Sequence, residues 1–113
     1  MSKNNIRIIN TTDPNRWNCV KWVRARIRNL PYGLWTIKDK KRIIDGQKPK
    51  KGRVPIMNVG LPWGHVGIVT EVNYPLITIE EANYKFGKIT ERTGTKESLK
   101  IIGFFNPQKK HWQ

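Results

Sequence analysis

At 113 residues the chain has the length of one domain with one modest core. Its 22 Lys and Arg stand against 8 Asp and Glu, and the net charge of +14 implies an anionic partner or environment: nucleic acid, an anionic membrane surface or a polyanionic cell wall. No apolar run is long enough to span a membrane, the N-terminus lacks the apolar core of a secretory signal, and the single cysteine excludes an intramolecular disulfide and a cysteine-based zinc cluster.

Residues 1–10 begin polar and turn apolar at Ile6, Ile8 and Ile9, which reads as an extended lead-in. The stretch Thr11-Thr12-Asp13-Pro14-Asn15 has the chemistry of a loop, and Asn15 or Asn18 is placed to cap a helix after it. From Trp17 to Leu30 the apolar residues Val20, Val23, Ile27 and Leu30 recur at helical spacing, and Pro31 ends the pattern. Cys19 then lies in the first helical turn, where free backbone N–H groups and the helix dipole favour a thiolate. A second, shorter helix is expected over Thr36 to Ile44, a basic loop over Asp45 to Gly52, a strand over Arg53 to Met57 and a loop over Asn58 to Trp63. Lys85 to Lys96 is polar and reads as mostly loop, and Leu99 to Phe105 as a final strand closed by Pro107. Helices first and antiparallel strands after them give an α+β domain, its helices on one side of a small sheet. A single domain is expected over 1–113, with 1–14 as its lead-in.

Between these lie Gly64 to Val72 and Ile77 to Tyr84, two β-rich strands joined by a turn at Asn73-Tyr74-Pro75. With the turn centred near Tyr74, antiparallel partners have numbers summing to about 148. His65 then faces Asn83 and Gly67 faces Glu81, so that His65, Glu81 and Asn83 converge on one face at one end of the hairpin. An imidazole beside a carboxylate and an amide is a base with orienting partners, and Cys19 is the one available thiol nucleophile. Cysteine at a helix start, histidine at a strand start and a polar residue on the next strand form a papain-like arrangement.

Four segments carry a resemblance: Asn18-Cys19-Val20-Lys21-Trp22-Val23, Pro49-Lys50-Lys51-Gly52-Arg53-Val54, Gly64-His65-Val66-Gly67-Ile68-Val69 and Glu81-Ala82-Asn83-Tyr84. In this order they resemble the motifs of CHAP domains, the cysteine, histidine-dependent amidohydrolases/peptidases of bacterial and phage cell-wall lysins. The resemblance runs from about Trp17 to the strand at Ile101 to Phe105. It implies a papain-like fold and hydrolysis of a peptidoglycan amide, either N-acetylmuramoyl-L-alanine or a bond of the stem or cross-bridge peptide. It also implies roles. Cys19 would be the nucleophile, His65 the base and then the acid, Glu81 the group orienting His65, and Asn83 a further holder of the ring. Backbone N–H groups near Cys19, with the Asn18 side chain, are candidates for an oxyanion hole, and Trp63 and Gly64 for the substrate groove.

Two departures from the family stand out. Some members bind calcium through acidic residues flanking the cysteine; here Asp13 is the sole acid before Cys19 and Lys21 follows it, so no metal and no cofactor is expected. Many members also carry a wall-binding domain; none is expected here, and the +14 charge is the candidate substitute, holding a monomer to anionic wall polymers. The expected partner is bacterial peptidoglycan, reached as a phage-encoded protein released by a holin or delivered with a virion.

Plainer readings stand beside these. A buried cysteine is usually an inert small hydrophobe. Trp22 fits the core, whereas Trp35, Trp63 and Tyr84 suit either packing or a groove wall. His111 and Glu80 read as surface groups, and Glu71 lies far along its strand from His65. A nucleic-acid-binding module would account for the charge, without a recognisable motif and without explaining why His65, Glu81 and Asn83 converge. A catalytically idle wall-binding or virion piece is a further alternative.

Overall fold

The computed structural model describes residues 5–10, 18–84 and 88–108. The loop expected at Thr11 to Asn15, the candidate cap Asn15, Trp17 and His111 lie outside the described residues. Asn18 caps helix α1 (Cys19–Arg26): its Oδ1 accepts from the Lys21 N–H at 2.8 Å. The helix buries Trp22 and Val23. It stops four residues short of the expected Leu30, because the chain turns at Ile27 to bring Leu30 into the core. Arg24 holds that turn, donating to the carbonyl oxygens of Leu30 (3.4 Å) and Pro31 (2.6 Å). Helix α2 (Ile37–Lys41) is also shorter than expected. It is set by a capping box, in which Thr36 accepts from the Asp39 N–H and the Asp39 carboxylate accepts from the Thr36 N–H.

Among the described residues seven strands follow one another as β1 (Asn5–Asn10), β2 (Val54–Met57), β3 (His65–Val66), β4 (Ile68–Asn73), β5 (Leu76–Ala82), β6 (Ile89–Gly94) and β7 (Ile101–Phe105). They form two antiparallel sheets, ordered β1-β6-β5-β4 and β3-β2-β7, where one small sheet was expected. The division falls at Gly67, inside what reads as one continuous strand. Before it, β3 pairs with β2; after it, β4 pairs with β5. The sheets stay joined where the Val69 N–H donates to Arg53 O (2.9 Å) and the Gly52 N–H to Val69 O (2.8 Å). A strand, β6, also replaces much of the loop expected over Lys85 to Lys96. Its inward positions include Thr90 and Arg92, so its alternation is real but not apolar. The lead-in proves to contain β1, an edge strand paired with β6.

One core gathers Trp22, Val23 and Leu30 with Val54, Ile56, Val66, Ala82 and Phe105, and a second gathers Met57, Val69, Ile77, Ile79, Leu99, Ile101 and Phe104. Helix α1 packs against β3 and β5, which belong to different sheets. The fold is thus α+β with antiparallel sheets. Among the described residues no helix is long and apolar enough to cross a membrane.

Candidate active site

Helix α1 presents Cys19 at its first residue, half-buried, against the start of β3. The sulfur faces the His65 ring and the Val66 backbone N–H, both of which favour its charged form. His65 is buried on β3, and its Nε2 lies 3.1 Å from Oε1 of Glu81, which leaves the other ring nitrogen for the thiol. Glu81, fully buried near the end of β5, is the hub. Arg92 grips both of its oxygens, Nε to Oε2 at 2.7 Å and Nη2 to Oε1 at 2.8 Å, and the Thr90 hydroxyl donates to Oε2 at 3.1 Å. The Arg92 guanidinium also lies 3.6 Å from the centre of the Tyr84 ring, which in turn sits 6.0 Å from the His65 ring. A bidentate, stacked arginine fixes a buried carboxylate in position as well as neutralising it.

These contacts set the charges. Burial alone would push the Cys19 thiol up, but the hydrogen bond and positive charge of His65, the Val66 N–H and the nearby Lys40 ammonium together hold it below its usual value. Burial also opposes a charged imidazole; the hydrogen bonds and charges of Cys19 and Glu81 overcome it and raise His65 to about 9. Glu81 is held below the usual carboxylate range, because Arg92 and His65 outweigh its burial. The arrangement therefore favours a thiolate–imidazolium pair with an ionised carboxylate behind it.

The structure brings Cys19, His65 and Glu81 together and treats the other expected residues differently. The β4–β5 register puts Ile68 opposite Glu80, a sum of 148, so the expected register holds at this end; a bulge between Val69 and Glu71 shifts it toward the turn. Continued one residue, it sets Gly67 against Glu81, and a Cβ on Gly67 would lie 3.2 Å from the Glu81 Cβ and 2.7 Å from Glu80 O. The expected facing of His65 and Asn83 is not a strand pairing. His65 pairs with Met57, and β5 ends at Ala82. Asn83 lies just beyond, half-buried with φ +62°, its N–H donating to Lys88 O at 2.9 Å. Asn18 spends its side-chain oxygen on the helix cap. Gly64 is a packing requirement: at φ +77° a Cβ would fall 2.7 Å from Cδ1 of Ile37. Trp63 stands exposed on the wall of a cavity of about 510 Å³ that also reaches Asn18 and Val20, either side of Cys19.

Sequence reasoning missed Arg92, Thr90 and Lys40. The alternation Thr90, Arg92, Gly94 was the available signal for the first two, masked by its polarity. Lys40 is a buried lysine on α2 whose Nζ donates to the carbonyl oxygens of Leu34 (2.9 Å), Trp35 (3.4 Å) and Trp63 (2.8 Å); no sequence pattern distinguishes it from the other lysines of that helix. Among the described residues no three His, Cys, Asp or Glu side chains cluster as metal ligands, and Asp13 lies outside them.

Compared with protein-family models, residues 10–83 match the CHAP domain. No curated protein and no solved structure matches the chain.

Proposed function

The chain belongs to the CHAP domain family, and from that membership and the geometry of its site we propose that it is a peptidoglycan hydrolase, cleaving a wall amide bond through Cys19. The observation that carries the reading is the convergence of the Cys19 thiol on the His65 ring, which is itself hydrogen-bonded to the Glu81 carboxylate. In this reading the fold is papain-like and the thiolate attacks the amide carbonyl carbon. The carbonyl oxygen becomes an oxyanion at the helix start, where the first-turn N–H groups and the Asn18 amide are the candidate donors. His65 then gives its proton to the leaving amine as the C–N bond breaks, which leaves a thioester on Cys19. Water attacks that thioester with His65 as base, releasing the acid and restoring the thiolate. Glu81 orients and charges His65 throughout, and Asn83, just beyond β5, supports the ring.

The test is clearing of purified Gram-positive cell walls by the wild type and by Cys19→Ala, with mass spectrometry of the released fragments. We expect fragments from the wild type alone. Equal clearing by both proteins would remove Cys19 from the mechanism, and binding without clearing by either would favour an idle wall-binding protein.

A further inference from the structure

The cavity beside Cys19 has walls that the relay does not use. Trp35 and Trp63 are 74% and 58% exposed, and Tyr32 lines the same space at 82%. Large aromatic faces left this open on a small domain mark a binding groove rather than a core. They are not loose decorations. The single Lys40 ammonium holds the backbone carbonyls of Trp35 and Trp63 together, so one buried charge fixes both tryptophan-bearing segments. The segments are clamped a second time where the Ile37 N–H donates to Pro62 O at 2.8 Å. Exposed indoles on tethered segments suit a flat ligand with one apolar and one polar side. A pyranose has that form: its C–H face packs on an aromatic ring while its hydroxyls stay in water. Lys21, exposed on the rim, adds a cation for the carboxylates of an attached stem peptide.

We propose that the Trp35–Trp63 groove is a saccharide subsite, seating a sugar of the glycan strand so that the amide presented to Cys19 is the one joining the sugar-borne acyl group to the peptide. Lys40 is the positioning residue that sets the spacing of its walls. This rests on the peptidoglycan reading above and narrows it to one side of the substrate.

The experiment titrates ¹⁵N-labelled wild-type protein with peptide-free GlcNAc–MurNAc oligosaccharides and, separately, with free stem peptide. The glycan should shift the indole N–H signals of Trp35 and Trp63, and Trp35→Ala or Trp63→Ala should weaken its binding about ten-fold, as loss of one aromatic stack predicts. Both side chains are exposed, so these substitutions spare the core. Lys40→Met should weaken glycan binding while both indole signals remain present. Shifts produced by the stem peptide and not by the glycan would overturn the assignment, as would wall digests in which every released peptide is cut within the peptide. Those results would leave the Cys19 mechanism standing; clearing by Cys19→Ala would remove the mechanism and leave glycan binding to be judged by its own titration.

Discussion

Glu81 is a carboxylate with no access to water and four hydrogen-bond contacts, from His65, Thr90 and twice from Arg92. Removing one partner of such a group costs more than the pair contributes, because the remaining charge stays buried. Arg92→Met should therefore destabilise the fold by about 3–5 kcal/mol in urea unfolding. Arg92→Lys should recover only part of that, since an ammonium cannot reproduce the two-pronged grip. The same hub governs pH dependence. In the proposed reaction the imidazolium form of His65 supplies the proton for the leaving amine, so activity should fall as pH rises through about 9. Glu81→Gln removes a charge that raises that value, so the alkaline limb should move to lower pH, read as kcat/KM against pH with folding checked by circular dichroism. Cys19, His65 and Glu81 were legible in the sequence because their residue types carry distinctive chemistry and the hairpin register brought two of them together. Arg92 was not, because an arginine in a polar stretch looks like any of the many basic residues on this chain.

The hairpin that reads as two continuous strands divides at Gly67, and this break turns His65 toward β2 while keeping it in reach of Glu81. A side chain there would press on the Glu80 carbonyl at 2.7 Å, a backbone atom that cannot rotate away. Gly67→Ala should cost about 1–3 kcal/mol from overpacking, seen as a lower melting temperature, and should reduce turnover more than the stability loss alone explains. Other elements show what sequence patterns miss. The start of α1 was legible to within two residues, with Asn18 one of two candidate caps, but its end was not, since the turn at Ile27 is made by Arg24 reaching the carbonyls of Leu30 and Pro31. Strand β6 escaped notice because its buried face is polar, shaped by Glu81 rather than by an apolar core. The second sheet escaped because β2 meets β7 through pairings between distant parts of the chain, which local periodicity does not encode, and meets β3 through only two residue pairs.

At the scale of the molecule, the +14 charge is too large to be spent on the few ion pairs of the site. We expect it to hold the protein on anionic wall polymers. Binding to isolated walls should then weaken steeply as ionic strength rises from about 0.1 M, where the screening length is about 10 Å, to about 1 M, where it is about 3 Å; sedimentation with walls at both salts measures it, and unchanged binding would refute it. The division of labour between the sheets has another consequence. Cys19 stands on a helix, His65 belongs to the three-stranded sheet, and Glu81 with Arg92 belongs to the four-stranded one. Neither sheet holds a working fraction of the relay, so a molecule whose sheets have formed but not yet docked is chemically silent. In the proposed reaction, turnover is in effect a proofreading of assembly: the chain becomes reactive only once helix α1 and both sheets have met.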